Sequence, residues 1–242
     1  MKSKFNLILI FVLITKTFGQ TEVIVIYKIK TYEENNENPK HNDIDKNTLE
    51  ILKKTEAEFG NLKYELIINN ELALFTEIKK LDKPKNTHSE LAKVLSGYSG
   101  EIYVDVNKKL IIEAKDIGGR KFLVEKNLDD YEWEIDVEKV NIRGYDCFKA
   151  TTTVMIEGRN GQQEVPINAW FTPEINLPYG PSGYCGLPGL IIQIQKGNVI
   201  TYLSEINFQP NEKKIQLPTD KTINTKEFNE MMKKMNSNRG NY

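Results

Sequence analysis

Along most of the chain, apolar and polar residues alternate with a period of two, which is typical of half-buried β-strands. The clearest alternation runs through residues 147–157, turns at residues 158–162 and returns through residues 165–171. Further strand patterns lie at residues 23–29, 62–68, 72–75, 102–106, 110–113, 121–125, 190–195 and 199–208. Short turns separate most of these segments, so the pattern predicts many antiparallel strands and lacks the strand–helix–strand rhythm of a parallel sheet.

Two segments have a helical period instead. We predict a helix near residues 48–58, capped by Thr48, and a second helix over residues 225–235. The second helix has one apolar face, formed by Phe228, Met231, Met232 and Met235. Residues 80–100 are predicted to be a polar loop that contains one helical turn at 89–95. The fold class is therefore mainly β (α+β), a single curved antiparallel sheet or open half-barrel with a helix near each end.

The N-terminal segment has the three parts of a secretory signal peptide. Two lysines form a basic start, an apolar run follows over residues 5–14, and Thr17 and Gly19 suit cleavage before residue 20. The apolar run is too short to span a bilayer, which needs about twenty residues. We predict that residues 1–19 are removed on export to the periplasm or the cell exterior, and that residues 20–242 form one domain. The alternative is a buried N-terminal helix or strand.

Composition and charge exclude several functional classes. The chain has 33 basic and 34 acidic residues, a formal charge of -1, which gives no electrostatic surface for nucleic acids. Removal of the signal peptide deletes three lysines and no acid, so the mature chain carries 30 basic and 34 acidic residues, a charge of -4. Two Cys and two His leave little room for a zinc site, and we predict no cofactor. No cysteine follows the apolar run, so we expect no lipoprotein anchor, and no later stretch is apolar enough to cross a membrane.

Residues 185–191 read Cys-Gly-Leu-Pro-Gly-Leu-Ile and contain a six-residue signature. Its sequence context adds further segments whose order and spacing matter, namely Trp133 and residues 142–150, 158–159, 169–175 and 180–181. Together they resemble the GLPGLI family, exported proteins of Bacteroidetes named after the motif. The stronger resemblance covers about residues 131–208. One departure is that Ile175 is followed by Asn176, where the family usually has Ile-Pro.

The resemblance implies no established activity and no catalytic residue. It brings a faint architectural likeness to the open, strongly curved sheets of periplasmic lipoprotein carriers, although a fold alone does not give a function. Genes of the family often lie near TonB-dependent outer-membrane receptors. The resemblance therefore implies an envelope transport context, with such a receptor as a possible partner.

The signature loop has two interpretations. In the first, its glycines and proline shape the backbone while Leu187, Leu190 and Ile191 fill the core. In the second, the loop and the aromatic residues near it rim a groove for a ligand or partner. The candidate rim residues are Arg159, Trp170, Tyr179, Gly180, Pro181, Tyr184, Gly186, Leu187, Pro188, Gly189, Leu190 and Ile191. Arg159 would pair with Glu174 or with a carboxylate of the ligand.

Cys147 and Cys185 are the two cysteines of the chain. Export favours disulfides, and we predict a Cys147–Cys185 bridge. The loop it closes contains 39 residues, for which the chain-entropy model gives about 4 kcal/mol of stabilisation. The alternatives are two buried thiols or a nucleophile, and a nucleophile needs a nearby base that neither His41 nor His88 is placed in a motif to provide.

The remaining candidate chemistry is weak. His41 and His88 lie in polar loops and are predicted to be solvated, and the methionines of the last helix are predicted to pack. Neighbouring acids occur at 129–130 and at 132 and 134, but the chain is rich in acids throughout. We find no catalytic constellation and expect no enzyme.

The leading hypothesis is a non-enzymatic exported protein whose curved sheet holds an apolar or peptide-like ligand or docks on an envelope partner. The first alternative is a periplasmic hydrolase that uses carboxylates in a groove, which needs paired acids in one pocket. The second alternative is a purely structural periplasmic module, which would be favoured if side chains and helices fill the concave face of the sheet.

Overall fold

The structure is a computed structural model that describes residues 22–32, 45–69, 71–79, 86–98, 100–158, 161–208 and 214–239. The predicted signal peptide, His41 and Arg159 lie outside these ranges. The strands are β1 (Glu22–Thr31), β2 (Lys63–Asn69), β3 (Leu72–Glu77), β4 (Ile102–Asp105), β5 (Leu110–Ile117), β6 (Arg120–Asn127), β7 (Glu134–Ile142), β8 (Tyr145–Gly158), β9 (Gly161–Thr172), β10 (Leu190–Lys196), β11 (Val199–Asn207) and β12 (Ile223–Asn224). The helices are α1 (Lys46–Phe59), α2 (Thr87–Leu95) and α3 (Thr225–Arg239).

All twelve strands form one curved, unclosed sheet in the order β12-β6-β5-β4-β3-β2-β1-β11-β10-β9-β8-β7. Neighbouring strands are antiparallel except β12, which pairs parallel with β6 through Ile223 and Asn224. The prediction of a mainly β protein with one curved sheet is confirmed at this level. Strand β1 lies in the middle because it pairs with β2 on one side and with β11, near the other end of the chain, on the other.

The period-two alternation places most of the core on one face of the sheet. Val25 pairs with Leu66, Leu66 with Phe75, Phe75 with Ile102, and Ile102 with Glu113. Directly paired residues point to the same side, so this row defines the inner face. Val25, Leu66, Phe75 and Ile102 are all at most 2% exposed.

The other arm of the sheet continues the same face. Ile29 pairs with Thr201, Thr201 with Ile194, Ile194 with Ala169, and Ala169 with Ala150. All five are buried, with exposed fractions of at most 6%. The alternation predicted for residues 147–157 and 165–171 is therefore confirmed, including the side that faces the core.

The helices differ from the prediction in three ways. α1 begins at Lys46 and its cap is Asp45, whose carboxylate accepts from the Thr48 backbone N–H at 3.0 Å, so Thr48 is not the cap. The turn predicted near 89–95 is a helix of two and a half turns, α2, so there are three helices and not one near each end. α3 extends to Arg239, so part of the tail predicted to fray at 236–242 is helical.

Among the described residues, no helix is both long enough and apolar enough to cross a membrane. Each helix buries only one or two side chains: α1 buries Thr55 and Phe59, α2 buries Ala92, and α3 buries Phe228. The helices therefore pack against the rest of the protein through small contact areas.

Candidate functional site

The signature loop, residues 173–189, connects β9 to β10 and enters the core. Leu187, Leu190 and Ile191 are each at most 1% exposed, and Tyr179 is 1% exposed. An isolated bridge joins Tyr179 to Cys185 and closes the loop on itself. Burial of four large side chains stabilises a fold by several kcal/mol, at about 1.5–3 kcal/mol for each. These residues therefore support the first interpretation of the loop, in which it fills the core.

Two glycines of the signature loop are required by close approach of the chain. A Cβ on Gly189 would lie 2.1 Å from the backbone carbonyl oxygen of Thr172, and the φ of Gly189 is +155°. A Cβ on Gly180 would lie 2.7 Å from the Cβ of Ile191. Both contacts are shorter than atoms tolerate, so glycine is needed at these positions for packing alone.

Two hydrogen bonds, one buried and one partly buried, hold the end of the signature loop and the start of β10 to distant parts of the chain. The Tyr27 hydroxyl of β1 donates to the backbone carbonyl of Ile191 at 2.6 Å. The Trp133 indole N–H donates to the backbone carbonyl of Cys185 at 2.9 Å. Trp133 stands apart from the loop in sequence, but its ring contacts those of Tyr131 and Tyr184 at centroid distances of 6.2 and 6.3 Å. Both bonds therefore hold the C-terminal end of the loop, where the chain continues into β10.

The other candidate rim residues do not form one surface. Trp170 lies on the opposite face of β9 from Phe171, with the Lys149 ammonium 6.0 Å from its ring. Pro181 is buried, and Glu174 accepts from the Asp146 backbone N–H at 2.9 Å. Of the predicted rim residues, Tyr184 lines the large cavity described below. Arg159 lies outside the described residues.

Cys147 and Cys185 are both completely buried and are free thiols in the structure. Burial raises the pKa of the Cys147 thiol to about 11 and that of the Cys185 thiol to about 12. A thiol with so high a pKa is a poor nucleophile at neutral pH. The predicted disulfide is not formed in the structure and stays a prediction.

A half-open cavity of about 1150 Å³ lies on the inner face of the sheet, between its two arms. One wall comes from β4, β5 and β6, and the opposite wall from β8, β10 and β11. The remaining sides are formed by the end of α2, the loop at Ser182 and Tyr184, and α3. The apolar residues that line it are Ile102, Val124, Val154, Met155, Ile156, Ile194, Val199, Phe228 and Met232. The helices and the signature loop therefore fill only part of the inner face.

One buried ion-pair cluster lies in this cavity. Glu113 of β5 is 7% exposed, and its carboxylate accepts from Lys115 at 2.7 Å and from Lys126 of β6. Burial raises the pKa of Glu113, but the two ammonium groups outweigh this effect, so its pKa is lowered overall. The carboxylate is therefore ionised at neutral pH.

A third lysine, Lys196 at the end of β10, faces the same cluster from the opposite arm. It is half-buried and lines the cavity. Burial lowers the pKa of Lys196, and the charges of Lys126 and Lys115 lower it further, while Glu113 acts in the opposite direction. Among the described side chains no carboxylate lies within salt-bridge distance of its ammonium group.

A second cavity of about 530 Å³ lies beside the first, and Asp130, Glu132, Glu134 and Trp133 contribute to its lining. The three acids are exposed. No group of three His, Cys, Asp or Glu among the described residues has the arrangement of a metal site. His88 is half-buried and lies in α2, so the prediction that it is a solvated loop residue is wrong.

The cavity lysines are the residues that sequence reasoning missed. A signal for them exists in β5, where Glu113 and Lys115 stand in period-two register with the buried Ile111. Charged residues at positions that the alternation assigns to the core indicate either an ion pair or a polar site on the inner face. Nothing local indicates that Lys196, 81 residues after Lys115, lies near them.

Comparisons with known proteins give one match to a family and one structural similarity. Residues 157–193 match a family described as "Protein of unknown function (Porph_ging)". This match includes the signature loop but covers well under half of the chain, and the resemblance to the GLPGLI family stays a prediction. No curated protein matches the chain.

The structure is similar to that of PNGF-II in two crystal forms. In the P21 form the TM-score is 0.52 at 14% identity, over 88% of this chain and 33% of that chain. In the C2 form it is 0.49 at 13% identity, over 80% and 28%. The chain thus spans about a third or less of PNGF-II. The comparisons establish a mostly β fold that this chain shares with part of PNGF-II, together with a short match to a family of unknown function.

Proposed function

We propose that this protein is a non-enzymatic, exported binding protein that holds an apolar small molecule in the inner-face cavity. The observation that carries the proposal is the cavity of about 1150 Å³ that the helices and the signature loop leave between the arms of the sheet. Ligand sites are concave, largely apolar and commonly about 300–1,000 Å³ in volume. This cavity is slightly larger and combines many apolar side chains with a few charged ones.

The structural alternative requires an inner face that is filled by side chains and helices. α1, α2 and the signature loop fill part of it, since Phe59, Ala92 and Leu187 are each at most 3% exposed. The remaining cavity is half-open, and apolar side chains such as Ile194 and Phe228 line it without filling it. A concave, largely apolar site is typical of ligand binding, which favours binding over a purely structural role.

The carboxylate hydrolase is less well supported than binding. Glu113 is the buried acid of the cavity, and two lysines hold it in its charged form. A general acid needs the opposite, an environment that raises its pKa. The exposed acids at Asp130, Glu132 and Glu134 lie in the smaller cavity, and three solvated carboxylates on an acid-rich chain carry little weight.

Export and a partner in the envelope belong to the same proposal. Export rests on the composition of residues 1–19, and the TonB-dependent receptor rests on the resemblance to the GLPGLI family. A cargo-binding protein delivered to the periplasm or beyond would pass its ligand to such a receptor or receive it there.

The test is to produce the chain with its own N-terminal segment in a bacterium that has a periplasm. The protein purified from the periplasmic fraction is analysed by native mass spectrometry and by mass spectrometry of its solvent extract. We expect a processed chain that carries a stoichiometric apolar molecule. A chain that stays in the cytoplasm would contradict export, and a processed chain without cargo would contradict binding.

A matched pair of variants assigns any cargo to the cavity. Val154→Trp places a large ring into the cavity from β8, whereas Val137→Trp places the same ring on β7, where Val137 is 91% exposed. We expect Val154→Trp to lose the cargo and Val137→Trp to retain it. Equal retention by both variants would mean that the cargo binds elsewhere and would refute the proposed site.

A further inference from the structure

The charges on the cavity wall do not balance. Lys115, Lys126 and Lys196 form the inner cluster of the cavity together with Glu113, and this cluster has an excess of two positive charges. Asp130 also lines the cavity. Asp130 is turned toward its own 3-10 segment, where it accepts from the Asn127 backbone N–H at 3.1 Å. Glu113 is thus the acid that neutralises the inner cluster.

The inner cluster brings together strands that are far apart in the sheet. Lys115 on β5 and Lys126 on β6 belong to one arm, and Lys196 on β10 belongs to the other, with β4, β3, β2, β1 and β11 between them in the strand order. The curvature of the sheet makes them neighbours across the cavity. Like charges repel in a partly desolvated site, so this arrangement of lysines is unfavourable when no anionic ligand is bound in the cavity.

Lys196 differs from the other two lysines in its partners. It is half-buried, it faces Lys126 and Lys115, and among the described side chains it has no carboxylate at salt-bridge distance. Glu113 is already bound by the other two lysines. An anionic group in the cavity would supply the missing charge, and lysine ammonium groups bind carboxylates and phosphates as compact point charges.

The rest of the cavity wall is apolar and adjoins the lysines directly. The Lys115 ammonium lies 5.4 Å from the centre of the Phe228 ring of α3, so the charged end and the apolar part meet there. Val154, Ile194 and Val199 continue the apolar wall on the opposite arm. A small inorganic anion would leave this wall empty, and a neutral hydrocarbon would leave the lysines unpaired.

We propose that the ligand is an amphiphile with an anionic head group, which Lys196 binds together with Lys115 and Lys126 while its apolar chain occupies the remainder of the cavity. This inference rests on the proposed binding function and adds the chemical class of the ligand. Cationic amphiphiles are disfavoured because the cavity already has an excess of positive charge.

The experiment measures the binding of four probes to the delipidated full-length mature chain by isothermal titration calorimetry, below the critical micelle concentrations. The probes are dodecanoate, dodecan-1-ol, dodecyltrimethylammonium and acetate. We expect dodecanoate to bind at least about tenfold more tightly than the alcohol, because a hydrogen-bonded ion pair in a desolvated site discriminates by that much or more. The cationic probe and acetate are expected to bind most weakly.

Variants then assign the head group. Lys196→Met is expected to weaken dodecanoate binding by about tenfold or more and to leave dodecan-1-ol binding unchanged. Lys196→Arg, which keeps the charge, is expected to retain most of the affinity. The control is Lys54→Met on α1, where Lys54 forms an exposed i,i+4 ion pair with Glu50 at 2.7 Å. Circular dichroism of each variant confirms folding, and Lys196→Gln replaces Lys196→Met if the latter does not fold.

The outcomes separate this inference from the proposed function. If dodecan-1-ol binds in the cavity as tightly as dodecanoate, the anionic head group is refuted while the binding function stands. If acetate binds as tightly as dodecanoate, the apolar chain is refuted. If none of the probes binds, the class of ligand is refuted, and the absence of cargo in the purified protein decides separately against the binding function.

Discussion

Replacement of Gly189 by alanine tests whether the signature loop acts through its packing. The new Cβ would lie 2.1 Å from the Thr172 carbonyl oxygen and 2.9 Å from the Pro173 Cα, and both are backbone atoms that cannot rotate away. Thr172 pairs with Leu190 where β9 and β10 begin to run together, so relief of the clash moves the start of β10.

The expected magnitude follows from two contributions. A non-glycine residue at this φ costs about 1–3 kcal/mol. Loss of one or two hydrogen bonds at the start of β10 adds about 1 kcal/mol for each. The sum, about 2–5 kcal/mol, is a large part of the roughly 5–15 kcal/mol by which domains are stable.

The assay is urea denaturation followed by circular dichroism, with Gly60→Ala as the control. Gly60 follows α1 with φ -61° and ψ -18°, and a Cβ there meets nothing within 4 Å. We expect Gly60→Ala to leave the free energy of unfolding unchanged or to raise it by up to about 1 kcal/mol. A Gly189→Ala variant that loses less than about 1 kcal/mol would refute the packing role of this glycine.

Three further predictions concern a buried hydrogen bond, the ion pairs of Glu113 and the predicted disulfide. Tyr27→Phe leaves the buried Ile191 carbonyl without its hydroxyl donor and should lower the free energy of unfolding by about 1–3 kcal/mol in the same urea assay, whereas Tyr202→Phe should have little effect. The pKa of Glu113 is lowered in the folded chain, so its ion pairs stabilise the fold above the unfolded pKa of this group. That stabilisation is lost as the pH falls through the folded pKa. In a profile of the free energy of unfolding against pH, Glu113→Gln should therefore flatten the decline on the acid side. Protein exported to the periplasm and denatured without reductant should show no thiol reactive with Ellman's reagent if the Cys147–Cys185 bridge forms.

Each of these has a result that would contradict it. Equal stability of Tyr27→Phe and Tyr202→Phe would mean that the hydroxyl bond contributes nothing measurable. An acid limb that is the same with Glu113→Gln would mean that the ion pairs with Lys115 and Lys126 do not support folding. Two reactive thiols in the denatured exported protein would rule out the disulfide and would agree with the free thiols of the structure.

Much of the sheet is predictable from the sequence because its signal is local. In β8 and β9, the alternation that ends in Ala169 and Phe171 identifies both the strands and the side that is buried. The edge strand β7 was missed for a physical reason. Its residues are almost all exposed, Val137 at 91%, so burial imposes no apolar face on them. For α2 the sequence predicts only one helical turn, because a helix with the single buried residue Ala92 has almost no apolar periodicity.

The candidate site was not predictable in the same way. The signature loop attracted attention because glycine, proline and aromatic residues are conspicuous, yet Leu187 and Ile191 are core residues. The cavity depends on the curvature of the sheet, which brings Lys115 and Lys196 from opposite arms to one place. Strand patterns specify which face a residue occupies but not which residues meet across a cavity. Lys115 therefore has a local signal on the inner face of β5, whereas Lys196 has none that links it to Lys115.

A crystal structure of the mature chain grown with dodecanoate is the most direct test of the inner-face cavity as a binding site. We expect the alkyl chain between the two arms of the sheet, beside Val154 and Phe228, with the carboxylate within hydrogen-bonding distance of the Lys196 ammonium. A cavity that holds only water at saturating dodecanoate, or a ligand bound outside it, would contradict the proposed site. A chain in the cavity with its carboxylate turned away from all three lysines would contradict the assignment of the head group.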